Sequence, residues 1–209
     1  MKYRKKAKVY KERYEKGILI DKEMCIGSYV FLWGQKQETT STWYGLFSES
    51  GLQSEAIDVL KEVWSHLTVT NHAPSIQRFT LMDKIPSESV TMYSDDWAKA
   101  NVQFSDMDGD DCKVKWMVVP ESQDIKSGGD AESKPMAVSG VIKKKGLNDV
   151  SFRAPNVAGG YRLFVEIYDN QGHYGYANFP FLVLERTPGM PPSRTVKVKT
   201  YRDDQWKED

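Results

Sequence analysis

The chain of 209 residues holds two cysteines, three histidines and no net charge, and each scarcity removes a class of function. Cys25 and Cys112 have no metal or redox spacing and read as small buried hydrophobes. His66, His72 and His173 are scattered without ligand spacing. No Ser/His/Asp order, cysteine nucleophile context, glycine-rich phosphate loop or zinc pattern accompanies them. Lys plus Arg equals Asp plus Glu at 29 each, so the chain as a whole has no electrostatic bias toward nucleic acid or an anionic membrane. No run approaches the roughly 20 apolar residues of a membrane span, and the start lacks the apolar core of about 7 to 15 residues that marks a signal peptide.

Charge is unevenly distributed. Lys2, Arg4, Lys5, Lys6, Lys8, Lys11, Arg13 and Lys16 face only Glu12 and Glu15 in residues 1–17. Tyr3, Val9, Tyr10 and Tyr14 give the same stretch an apolar side, so it reads as a helix with one solvated basic face, stopped by Gly17, and not as a nucleic-acid arm. Ser28 to Trp33 is a short apolar and aromatic run with almost no alternation, the pattern of a strand buried on both faces of a parallel sheet. Gly34 then opens a polar loop, Gln35-Lys36-Gln37-Glu38 followed by four hydroxyl residues, which Trp43-Tyr44-Gly45-Leu46-Phe47 closes. Ser54 caps an expected helix over residues 55–66, in which Ala56, Val59, Leu60, Val63 and Trp64 recur at helical spacing and place Trp64 in the core.

A boundary falls in the polar, turn-rich stretch Thr68 to Ser75. Beyond it the period becomes two, with short runs over residues 76–82, 97–104, 112–119, 136–143, 149–154, 161–168 and 176–184. Such a series of short strands is the signature of an immunoglobulin-like sandwich. Cys112, Val114, Trp116 and Val118 share one face and Lys113 and Lys115 the other; Ala100, Val102 and Phe104 alternate likewise. Trp116 is the expected core tryptophan, faced by Tyr161, Leu163, Val165 and Ile167 and enclosed by Val150, Phe152, Phe179, Phe181 and Val183. Residues 187–209 read as a tail with little core of its own.

From Met24 to about Trp64 the chain resembles the last β/α unit of a (β/α)8-barrel glycoside hydrolase of the large retaining clan A, near family 2, on the motif Gly27 to Phe47 quoted above. Residues 72–184 resemble the PKD-type sandwich fused to bacterial glycan-degrading enzymes, on Asn71-His72-Ala73-Pro74, Asp106-Met107-Asp108-Gly109-Asp110, Trp116 and Gly160 to Val165; Met117-Val118-Val119-Pro120 departs from that family's Gly-Asp-Gly turn. Together these imply a mainly β chain with an α/β amino-terminal segment: a helix-strand-helix barrel remnant over residues 1–70, an immunoglobulin-like sandwich over 71–186, then the tail. A complete barrel needs about 250 residues and does not fit.

The resemblance implies the carboxyl-terminal part of an extracellular or periplasmic glycan-degrading protein, not catalytic alone, whose residues 1–66 are covered by the rest of a barrel or by a second copy. It implies carbohydrate contacts by Trp33, Gln35, Lys36 and Trp43, with Trp33 lining the sugar-binding floor. The family's two catalytic glutamates sit on earlier barrel strands. Glu38 is the lone carboxylate of the aromatic loop, whereas a retaining glycosidase needs two about 5 Å apart, so Glu38 is expected to be a loop hydrogen-bonder. The readings kept beside this one are a freestanding carbohydrate-binding or adhesion module and a subunit completing a partner's active site. Asp106, Asp108, Asp110 and Asp169 are expected to converge at one end of the sandwich, where like charges repel unless a cation such as Ca²⁺ neutralises them; the alternative is an acidic turn.

Overall fold

The computed structural model describes residues 5–21, 23–127, 129–187 and 189–190; the tail beyond residue 190 and Tyr3 of the basic helix lie outside them. Among the described residues two helices come first, α1 (Lys5–Gly17) and α2 (Glu55–Ser65). Eight strands follow: β1 (Ser75–Leu81), β2 (Val90–Tyr93), β3 (Trp97–Ser105), β4 (Lys113–Pro120), β5 (Ile142–Lys145), β6 (Asp149–Arg153), β7 (Gly159–Tyr168) and β8 (Tyr174–Leu184). They form two four-stranded sheets, ordered β1-β3-β6-β5 and β2-β8-β7-β4. All pairings are antiparallel except β2 with β8. The chain is mainly β, and its sandwich is compatible with an immunoglobulin-like fold.

The inward faces follow the sequence alternation, but Tyr161, Leu163, Val165 and Ile167 do not face Trp116: β7 pairs with β4 in the same sheet, Val165 beside Trp116, and Phe79 of β1 comes from the facing sheet. Val102, Trp116, Val118, Phe152, Leu163, Val165, Ile167 and Phe179 are buried in one core between the sheets. Trp116 is 6% exposed, packs against Phe79 at 5.9 Å between ring centroids and donates its indole N–H to Gly146 O at 3.2 Å. An apolar residue at every second position on facing sheets is what excludes water from this layer. The strand expected over residues 136–143 is displaced to β5. Val138 N–H donates to Val118 O at 2.8 Å, while the paired stretch begins at Ile142 and carries exposed Lys143, Lys144 and Lys145. Lysines on an edge strand discourage further strand addition, and they mask the alternation that would betray it. β2 escapes the sequence reading because four residues show too little period.

The amino-terminal segment departs from expectation. Ser28–Trp33 forms no strand, and Tyr29, Phe31 and Trp33 are 104%, 65% and 56% exposed. A strand apolar on both faces needs neighbours at both edges and layers above and below it. Among the described residues none precedes β1 to supply them, so the helix-strand-helix remnant is replaced by two helices and an irregular connection. Ala7 of α1 and Ala56, Ile57 and Leu60 of α2 bury a small second core with Leu46. Ser54 is the first residue before α2, but its hydroxyl donates to Leu46 O at 2.7 Å and makes no cap bond. Trp64 is 38% exposed and so is not core. Cys25 and Cys112 are free and half-buried, less enclosed than their apolar character suggests.

This segment docks on the outer face of the second sheet. Lys6 Nζ donates to Gly45 O at 2.8 Å and to the Tyr176 hydroxyl at 3.3 Å. Gln53 N–H donates to Gly172 O and Tyr174 N–H to Gln53 O, at 2.9 and 2.8 Å. Phe164 and Tyr174, although on the outer face, are thereby buried. Gly175 marks the closest approach: a Cβ there would lie 2.2 Å from Pro74 O, so glycine alone fits.

Candidate functional site

Three features carry chemistry. The first is the aromatic surface of the loop. Trp33 stacks on Trp64, with centroids 5.8 Å apart and planes 30° apart, and meets the Phe47 ring edge-on at 5.3 Å. Trp43 and Phe31 both pack edge-on against Tyr44. These contacts hold Trp33 and Trp43 in place while leaving both more than half exposed. Of the residues expected to contact sugar, the loop therefore displays Trp33 and Trp43. Lys36 is paired instead with Glu38, Nζ to Oε2 at 3.0 Å, which makes Glu38 the loop hydrogen-bonder it was expected to be.

Gln35 belongs to the second feature, a cleft of about 570 Å³ between residues 35–50 and the outer face of β4 and β7. Thr39 N–H donates to Glu132 Oε2 at 2.6 Å, and the Tyr176 hydroxyl donates to Thr42 O at 3.5 Å. The cleft's hydroxyl wall is thus anchored from both sides.

The third feature is the acidic end of the sandwich. Asp106, Asp108 and Asp110 each bring a carboxylate oxygen within 4.8 Å of the others. Asp106 Oδ1 accepts the N–H groups of Asp108 and Asp110 at 3.0 and 3.2 Å. Asp108 accepts His72 N–H at 2.6 Å, and this bond holds its carboxyl below the usual carboxylate range. Burial, and then repulsion from Asp106, Asp169, Asp108 and Asp111, pushes the Asp110 carboxyl up. Its Oδ2 is buried and has no hydrogen-bond partner among the described residues. Oxygen donors of this kind suit a hard cation, although His72 competes for Asp108.

Asp169 does not join the three. Its Oδ1 accepts Gln171 and His173 N–H groups at 2.7 and 2.9 Å, and its Oδ2 accepts the Asn71 amide at 2.8 Å. Burial raises its pKa, but these bonds outweigh burial and hold the carboxyl below its usual range. A polar node missed by the sequence reading surrounds it. Asn71 Nδ2 lies 2.7 Å from His173 Nδ1, and buried Asp58 of α2 accepts Ala73 N–H at 2.7 Å with its other oxygen 3.7 Å from His173 Nε2. Desolvation raises the Asp58 carboxyl. The i,i+4 spacing of Asp169 and His173 was visible in the sequence; nothing local connected Asp58 to them.

No family model and no curated protein matches the chain. Solved structures give faint similarities. A nucleoside hydrolase-related hypothetical protein from Saccharophagus degradans, associated with carbohydrate metabolism, aligns with a TM-score of 0.33 and 17% identity over 56% of this chain. The chain spans 26% of that protein's length. CopC from Methylosinus trichosporium OB3b gives 0.30 and 14% over 55% of this chain and 96% of its own, and murine CRIg 0.28 and 18% over 55% and 98%.

Proposed function

We propose that the chain is a non-catalytic portion of a glycan-degrading, glycoside hydrolase-like protein, with a PKD-type sandwich supporting an aromatic surface that meets carbohydrate. The observation that carries this reading is the pair Trp33 and Trp43, fixed by neighbouring rings yet open to solvent. An indole face packs on the C–H face of a pyranose while polar groups nearby hold its hydroxyls. Glu38 in its ion pair with Lys36 supplies no catalytic carboxylate pair. In this reading the protein acts outside the cytoplasm.

Affinity electrophoresis through gels containing β-glucan, galactan or starch tests the proposal. Retardation by at least one polysaccharide, reduced by Trp33→Ala and by Trp43→Ala, is expected. Retardation by none, or turnover of an aryl glycoside that Glu38→Gln abolishes, would overturn it.

A further inference from the structure

The amino-terminal segment docks on one sheet, and the outer face of the other, β1-β3-β6-β5, carries a chemistry of its own. Ala98, Ala100 and Val102 of β3 and Val150 and Phe152 of β6 are buried. Alternation therefore turns Trp97, Lys99, Asn101 and Gln103 outward, with Asp149, Ser151 and Arg153 beside them. Register completes the rows: Trp97 lies opposite Arg153, Lys99 opposite Ser151, and Ser151 opposite Lys144 of β5. Neighbouring strands run about 4.8 Å apart and successive outward residues of one strand about 7 Å apart, so an indole, two lysines, an arginine and a hydroxyl share a patch about 10 Å across.

The patch is open to solvent. Trp97 is 54% exposed, and the Arg153 guanidinium 4.5 Å from its ring centroid steadies the indole against the sheet. Arg153 also pairs with Asp95 at 2.9 Å, but both side chains are exposed, so the pair is worth little and gives way to a ligand anion. Lys99 and Lys144 are exposed and make no ion pair among the described residues. Asp149, one row further and opposite Asn101, bounds the cationic area. Lysines on an edge strand such as β5 discourage strand addition. Lys99 lies on β3, between β1 and β6, where no edge needs protecting. Free cations beside a steadied ring match a ligand that offers an anion and an apolar C–H face together. A chain of zero net charge lacks the field that draws in nucleic acid, and three cations neutralise few phosphates.

We infer that this face binds an acidic glycan, with Lys99 and Lys144 pairing with carboxylates along one uronate chain, the Trp97 indole packing on a pyranose C–H face and Ser151 meeting its hydroxyls. The glycan class rests on the proposed function. The charge requirement and the face do not, and Trp33 and Trp43 take no part.

Two-dimensional ¹H–¹⁵N spectra of the whole chain, titrated with trigalacturonate and with its methyl ester, test the inference, because the two ligands share their rings and differ in charge. Saturable shifts of the Trp97 indole N–H and of the amides of residues 97–99, 143–145 and 151–153 are expected with the acid, and affinity about fivefold or more weaker with the ester. Lys99→Gln combined with Lys144→Gln should weaken binding of the acid about tenfold, the scale of two exposed charge pairs. Trp97→Ala, which removes an exposed ring and leaves the core intact, should also weaken it about tenfold. Unshifted signals on this face at tens of millimolar trigalacturonate, an ester that binds as tightly, or full affinity in the folded lysine or Trp97 variants would overturn the inference. So would a single-stranded oligodeoxynucleotide that shifts the same signals at lower concentration. Shifts confined to the indole signals of Trp33 and Trp43 remove this face and leave the proposed function standing. Shifts here, with no retardation by any neutral polysaccharide, remove the Trp33 surface and leave this one standing.

Discussion

Truncating Trp116 to alanine removes the largest ring of the β4 core face. The indole is 6% exposed, packs on Phe79 and satisfies Gly146 O through its N–H. Loss of a buried tryptophan costs about 3 to 5 kcal/mol through lost transfer energy and the residual cavity. The stranded Gly146 carbonyl adds about 1 kcal/mol where water cannot reach it. Against a typical total of about 5 to 15 kcal/mol this is a large fraction. At about 3 °C per kcal/mol for a chain of this size, Tm should fall by roughly 12 to 18 °C. Trp116→Phe keeps a ring against Phe79 but loses the N–H bond, and should fall between parent and alanine variant. Trp97 is the comparator: it is 54% exposed, with the Arg153 guanidinium 4.5 Å from its ring centroid, and Trp97→Ala should cost about 1 kcal/mol or less. Calorimetry and far-ultraviolet circular dichroism read all three without relying on tryptophan emission. A Trp116→Ala protein melting within a few degrees of the parent, or one more stable than Trp97→Ala, would refute the assignment of this strand's inward face.

Burial of Lys6 pushes its amine down from 10.5 to about 8. Between those values the unfolded chain binds more protons than the folded one, so stability should rise with pH through this window. Burial of the Tyr176 hydroxyl raises its pKa and opposes the gain from about pH 10 upward. Tm measured from pH 7 to 9 should climb in the parent and stay flat in Lys6→Met; equal slopes would contradict the burial of this amine. Gly175→Ala forces a Cβ against Pro74 O and should cost about 1 to 3 kcal/mol by overpacking; an unchanged denaturation midpoint would show that the linker does not press on β8 there. Millimolar Ca²⁺ should raise the Tm of the parent and leave Asp108→Asn unmoved; no rise in the parent returns Asp106, Asp108 and Asp110 to an acidic turn.

Much of the sandwich was legible because its signal is local and redundant. Every second residue around Trp116, Val102, Leu163 and Phe179 is apolar, and a strand between two sheets has one face to bury. β2 and β5 were not legible, the one too short to show a period and the other an edge strand covered in lysine. The run Ser28–Trp33 failed for a different reason: continuous apolarity states that a segment wants cover, not what covers it. Of the candidate site, the three aspartates were adjacent in sequence and were found together. Gln35 and Trp33 were also close in sequence, yet the tertiary structure sent one into a cleft and the other to a stack with Trp64. Asp58, Asn71 and His173 meet because α2, the linker and the β7–β8 turn converge. Alternation along one strand fixes which residues turn inward; which loop covers which sheet depends on contacts between segments distant in the chain, and only the folded chain decides them.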